Sequence, residues 1–273
     1  MISGNPIVEG MHKREAQIEP DHDESLVRIW RGPHENVCMP GDSVHLWCQA
    51  LDAATPFNHT FFPVLSEQER RRARAFYFAS DRMHFVASHG LLRYVLGAYL
   101  ECRPEALHFD SGPYGKPFVR QSGARSLEFN LSHSRGMMLL AISQGDPVGV
   151  DIEGLRPDTS LLSIAEQNFQ AHEFQCLKAL PNRLRRDAFF RCWTYKESVM
   201  KYCGDGLQRP MHTIPVPKRY MEGEYTWHAS SVNGIPIIVK HLHPAPNYMG
   251  ALAARRAILR IEHWSWSSPL TLA

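Results

Sequence analysis

The 273-residue chain has little that would commit it to a membrane, to a disulfide scaffold or to bulk nucleic-acid binding. Its densest apolar run is Met137 to Ile142, far short of the roughly 20 residues a spanning helix needs, so no membrane role is expected. The start, Met1-Ile2-Ser3-Gly4-Asn5-Pro6, has no basic segment leading into an apolar stretch, and a secretory signal is not expected. Six cysteines (Cys38, Cys48, Cys102, Cys176, Cys192 and Cys203) are scattered without a C-x-x-C pair, which fits reduced thiols in a cytoplasmic protein. A net charge of +2 gives no reason to expect a nucleic-acid partner.

Several catalytic signatures are also absent. There is no G-x-S-x-G elbow, Walker loop or dinucleotide-binding glycine fingerprint. His172-Glu173-Phe174-Gln175-Cys176 fails as a zincin motif because Cys176 replaces the second histidine. His241 and His243 share a strand face but lack a third ligand nearby in sequence, which disfavours zinc.

What is present is an element order that occurs twice. Residues 1–40 are polar and aperiodic and read as a flexible extension. Val44 to Leu51 alternates as a strand, with His45, Trp47 and Gln49 on one face. Ser66 and Glu69 form a capping box opening a helical stretch that runs to Leu96, with a break expected near Ala79-Ser80-Asp81. Strands are expected at Leu127 to Leu131 and Met137 to Ser143, joined by a polar turn from Ser132 to Gly136. Gln144-Gly145-Asp146-Pro147 then turns into a strand carrying Val148 to Glu153. Helices near 159–180 and 183–203 and strands near 225–232, 236–242 and 249–254 repeat the pattern. The fold class is therefore α+β, a pseudo-dimer of two similar α+β halves at 41–145 and 146–262, followed by a tail at 263–273. A cleft between halves is a common place for a ligand.

Asp151 and Glu153 lie two apart on a strand, so both carboxylates share a face. Hard oxygen ligands side by side suit Mg²⁺, although an isolated D-x-E is more often a solvated strand end. On the helix Phe189 to Lys201, Glu197 and Lys201 are one turn apart, which alone is an ordinary surface pair. Lys196 and Ser198 cluster with them near Trp193, and Gly204 suits a left-handed helix end. Ser132 and His133 could donate to a phosphate, or Asn130 and Ser132 could simply cap a turn. Lys116 lies on a Gly-Lys-Pro loop, and Arg70, Arg71, Arg72 and Arg74 form a basic helix face.

Together, Gly115-Lys116-Pro117, Phe129-Asn130-Leu131-Ser132-His133-Ser134, Gly149-Val150-Asp151-Ile152-Glu153 and Trp193-Thr194-Tyr195-Lys196-Glu197-Ser198, with Lys201 and Gly204-Asp205-Gly206-Leu207, resemble the Sfp-type 4′-phosphopantetheinyl transferases in motif order. The resemblance spans residues 44 to 255. It implies transfer of the phosphopantetheine arm of coenzyme A to a serine of an acyl or peptidyl carrier protein, releasing adenosine 3′,5′-bisphosphate. It also implies Asp151, Glu153 and Glu197 as Mg²⁺ ligands, with Glu197 and Lys201 catalytic. Lys116, Ser132, His133 and Arg72 match coenzyme A positions, while Glu69 stands where the family has a second basic residue. A fused pseudo-dimer implies a monomer. A silent module binding coenzyme A or carrier proteins, and a magnesium-dependent pyrophosphate hydrolase, are the competing readings of the same residues.

Overall fold

The computed structural model describes residues 27–30, 37, 39–51, 60–120, 126–156, 160–223, 227–255, 258 and 260–266. Most of the expected extension 1–40, including Cys38, and residues 267–273 of the expected tail lie outside these. Eleven described strands run β1 Val27–Trp30, β2 Ser43–Ala50, β3 Phe109–Ser111, β4 Pro117–Val119, β5 Leu127–Ser134, β6 Met137–Gln144, β7 Val148–Gly154, β8 Trp227–Val232, β9 Ile235–Leu242, β10 Tyr248–Arg255 and β11 Arg260–Trp266. Six described α-helices are α1 Glu67–Ala75, α2 Ala79–Tyr99, α3 Leu161–Asn168, α4 Ala171–Ala179, α5 Asn182–Cys203 and α6 Lys218–Met221.

The strands form a five-stranded sheet in the order β1-β11-β2-β6-β5, a four-stranded sheet in the order β7-β10-β9-β8, and a small β3-β4 hairpin. The repetition expected from the sequence is visible in the ladders. In one half β2 pairs antiparallel with β6, which pairs with β5. In the other β7 pairs with β10, which pairs with β9. Each half also sets one long helix on its sheet. Phe85, Leu92 and Leu96 of α2 pack on Trp47, Phe129, Leu140 and Ile142. Phe189, Tyr195 and Val199 of α5 pack on Val239, Ala251 and Ala253. Val44, Leu46, Leu139 and Ala141 meet Val150, Ile152, Leu252 and Ala254 between the two sheets. The Met137–Ile142 run is thus a strand enclosed on both faces, not a membrane segment. Among the described residues no helix is long and apolar enough to cross a membrane.

Local chemistry explains most boundaries. Ser66 and Glu69 make the expected capping box, with Glu69 N–H donating to Ser66 Oγ at 3.2 Å and Ser66 N–H to Glu69 Oε2 at 2.7 Å. The helix break comes at 76–78, earlier than expected, because Phe76 is extended and α2 already starts at Ala79. The expected helix 159–180 is two helices, since Gln170 is extended and caps α4 through Glu173. The expected turn from Ser132 to Gly136 is mostly strand. β5 continues to Ser134, and a tight turn needs only Arg135 and Gly136, both at positive φ (47° and 80°).

The chain's last described strand departs most from expectation. β11 returns to the first half and inserts between β1 and β2, parallel to both, so the expected boundary between 262 and 263 falls inside a strand. Trp264 stacks on Trp47 with ring centroids 5.3 Å apart, and Trp266 meets Phe61 edge-on at 5.7 Å. These aromatic contacts bury the two tryptophans in the α2-side core.

Candidate active site

β5 ends one sheet and β7 ends the other, and the two edges lie together. They are joined by side chains at period two. Asn130 Oδ1 accepts from Val150 N–H at 2.8 Å, Ser132 Oγ donates to Asp151 Oδ1 at 2.9 Å, and Ser134 Oγ donates to Glu153 Oε2 at 2.9 Å while accepting from Gly154 N–H at 3.2 Å. Alternation sends His133 to the opposite side of β5 from Ser132 and Ser134.

Helix α5 closes the site from the second half. It lies very close to β7 because residue 149 is glycine. A Cβ there would sit 2.0 Å from Ser198 O and 2.3 Å from Tyr202 N, both backbone atoms of the helix. This approach brings Lys201 to the seam, where its Nζ donates to Asp151 Oδ1 at 2.5 Å and to Ser132 Oγ at 2.9 Å. Gly204, at φ +73°, then ends the helix in the left-handed conformation.

The electrostatics are those of crowded carboxylates. Burial, then the charge of Asp151, pushes the Glu153 carboxyl up, with Lys201 and the Ser134 hydrogen bond opposing. Glu197 is pushed up the same way, by burial and then Asp151, with Lys201 again opposing. Asp151 itself is 4% exposed, and its Oδ2 is enclosed without a hydrogen-bond partner. An ionised oxygen left this way is costly unless a cation is available to it. Among the described residues no group of three or more His, Cys, Asp or Glu side chains is already gathered as a metal cage. The ammonium of Lys201 pairs with Asp151 and its charge also acts on Glu153 and Glu197, with Arg156 acting on Glu153 as well. The donor set nevertheless suits a hard divalent ion: three carboxylates, one with an unsatisfied oxygen and two held above their ordinary range.

The other sequence candidates divide. His133 is held down by desolvation and by the positive charge of His89, Lys201, His84 and Arg72, so a basic region flanks the acidic one. Arg72 is exposed, with its guanidinium 5.1 Å from the Phe85 ring centroid. Lys116 is half-buried and donates to Val148 O at 3.0 Å and Tyr202 O at 3.3 Å, clamping the β3-β4 hairpin to the second half. Glu69 caps α1 and pairs with His89 at 3.2 Å and Arg93 at 2.8 Å. Burial alone would raise its carboxyl, but these hydrogen bonds and charges bring it down to about 2. It is a structural residue.

Within the Trp-x-x-Lys-Glu-Ser run only Glu197 belongs to the seam. Lys196 is fully buried, paired with Glu173 at 2.8 Å and donating to Met211 O and Ile214 O. Ser198 donates to Tyr195 O within the helix. Glu173 also accepts from Gln170 N–H and Val216 N–H, which explains the zincin-like fragment without a metal. His241 and His243 approach at 3.2 Å between Nε2 atoms, with His241 Nδ1 on Gly250 O. Asn130 and Ser134 also belong to the seam, beyond the residues the sequence motifs point to. Their signal in the sequence is the spacing Asn130, Ser132, Ser134, which puts all three on one face of β5.

Two sequence profiles match the chain. One, described as the 4′-phosphopantetheinyl transferase superfamily, covers residues 147–230, and the other, 4′-phosphopantetheinyl transferase, N-terminal, covers residues 55–145. The 4′-phosphopantetheinyl transferase HetI of Nostoc sp. (strain PCC 7120) is 38% identical over 185 residues, 67% of this chain and 78% of the relative. The 4′-phosphopantetheinyl transferase Sfp of Bacillus subtilis (strain 168) is 27% identical over 197 residues, 72% of this chain and 85% of the relative. A third, psf-1 of Bacillus pumilus, carries the same transferase name and is 30% identical over 194 residues, 71% of this chain and 80% of the relative. With the two-half fold and the seam between the halves, these matches establish that the chain belongs to the Sfp-type 4′-phosphopantetheinyl transferases, enzymes that move the phosphopantetheine arm of coenzyme A onto a carrier protein.

Proposed function

We propose that Asp151, Glu153 and Glu197 hold Mg²⁺ at the seam between the halves, and that Glu197 and Lys201 carry the proton and charge movements of the transfer. The observation that supports this most is the enclosed, unpartnered Asp151 Oδ2 beside two carboxyls pushed up by burial and mutual repulsion. When bound, Mg²⁺ would neutralise the pyrophosphate of coenzyme A and polarise the phosphorus under attack.

The chain's own residues supply the rest. The carrier serine oxygen forms a bond to the phosphorus that bears pantetheine, while the bond from that phosphorus to the bridging oxygen breaks. Adenosine 3′,5′-bisphosphate leaves with the electron pair. A serine hydroxyl is a weak nucleophile until a base takes its proton. Glu197 is that base, directly or through a bound water. Lys201, one turn away, steadies the leaving bisphosphate. Ser132 and His133 hold coenzyme A from the first half, His133 at a phosphate, and Arg72 serves the nucleotide end. Lys116 borders the same mouth from the β3-β4 hairpin.

Because one chain supplies both halves of the cleft, a monomer suffices, and light scattering would test it. The free Cys48, Cys102, Cys176, Cys192 and Cys203 suit a reducing compartment, and we place the enzyme in the cytoplasm. The deciding experiment incubates apo carrier protein with coenzyme A, Mg²⁺ and the enzyme, followed by mass spectrometry. The carrier should gain one phosphopantetheine, and Glu197→Gln should abolish the gain with an unchanged circular dichroism spectrum. Near-normal turnover in that variant would remove Glu197 from its role. Cleavage without attachment would favour a hydrolase, and binding without reaction a silent module.

A further inference from the structure

Lys201 holds a position that a metal-binding site should leave open. Its Nζ sits 2.5 Å from Asp151 Oδ1, and its charge also opposes the upward push on the carboxyls of Glu153 and Glu197. The ammonium is thus bonded to one of the three carboxylates, and its charge is felt by the other two. Asp151 is enclosed, with 5% of its side chain exposed against 27% for the Lys201 that pairs with it. Two cations a few ångströms apart in a partly buried site repel strongly.

We infer that Lys201 is a tethered counter-ion that a divalent metal displaces from Asp151 Oδ1. Without metal, the ammonium offsets the repulsion of the acidic trio and ties α5 to β5 through Ser132 Oγ, which accepts from it at 2.9 Å. Metal entry takes over the neutralisation and frees the ammonium, still on its helix, to meet an anion in the cleft. The lysine's two roles are then sequential. It holds the site together before the metal arrives and faces the phosphates afterwards. No covalent bond of the protein is made or broken in this exchange; the ammonium's hydrogen bond to Asp151 Oδ1 gives way to coordination by the metal.

The inference rests on the proposed metal reading, and the test separates the two. Mn²⁺ alone is titrated into the full-length wild type, Lys201→Met and Asp151→Asn, with free Mn²⁺ read by electron paramagnetic resonance. Lys201→Met should bind Mn²⁺ at least tenfold more tightly than wild type. In parallel, wild-type protein is labelled with a lysine-reactive anhydride with and without Mg²⁺, and the modification of Lys201 is read by mass spectrometry. Labelling of Lys201 should rise several-fold with Mg²⁺, a readout that needs no variant to fold. Unchanged labelling, or unchanged or weaker Mn²⁺ binding in Lys201→Met, would overturn the displacement while leaving the metal site standing if Asp151→Asn has lost Mn²⁺. Wild-type Mn²⁺ affinity in Asp151→Asn would overturn the metal reading and the displacement with it.

Discussion

Ser134 Oγ in the first half donates to Glu153 Oε2 in the second at 2.9 Å, so a proposed metal ligand is oriented by the half that does not carry it. The same oxygen accepts from Gly154 N–H, which fixes the hydroxyl in place. Ser134→Ala should raise the Mg²⁺ concentration for half-maximal activity by roughly three- to tenfold, the scale of one ordinary net hydrogen bond. A Mg²⁺ titration of transfer beside a thermal melt checks this. The expected result is a shifted titration with a nearly unchanged melt.

Lys196 should behave as a stability residue despite its place in the family's motif. Lys196→Met leaves Glu173 charged and buried without its partner, at a cost of about 3–5 kcal/mol. Urea denaturation would read that loss. At a temperature where the variant is folded, its turnover should remain close to wild type.

Gly149→Ala tests the close approach of α5 to β7. The added methyl would have to displace helix backbone, so the helix must move as a body. Overpacking of this kind costs about 1–3 kcal/mol or more, and here it also shifts Glu197 and Lys201. Transfer should fall further than the loss of stability explains, as kinetics below the melting range would show.

Acid should destabilise the fold through His241. Burial, then the charges of His243 and Arg191, brings this imidazole from 6.5 to about 3. Between those values the unfolded chain binds a proton that the folded chain does not, so unfolding is favoured as the pH falls. Stability attributable to His241 is full above about 6.5 and declines as the pH drops towards 3. Denaturant titrations at neutral and mildly acidic pH should show a shallower decline in His241→Gln than in wild type.

Much of this architecture was legible because its signals are local. The capping box at Ser66 and Glu69, the alternation of β2 and the shared face of Asp151 and Glu153 need only neighbouring residues. β11 was not legible, although Trp264 and Trp266 alternate, because its partners β1 and β2 lie about two hundred residues earlier in the chain. The orientation of Lys116 was hidden for the same reason, since its carbonyl acceptors belong to Val148 and Tyr202. In the Lys196-Glu197-Ser198 run, three adjacent polar residues suggested one cluster. The helix turns them to different surroundings, and only Glu197 reaches the seam.

The repeated strand order carries one last consequence. Exchanging the halves would place β9 beside β2, as β5 lies beside β7, and offer a second seam. That seam cannot form, because β8 pairs with β9 and β11 pairs with β2. The helix-facing positions of β2 are His45, Trp47 and Gln49, with no acidic pair to match Asp151 and Glu153. Each polypeptide should therefore bind a single coenzyme A and serve one carrier at a time, with hyperbolic saturation by both substrates and no communication between equivalent centres.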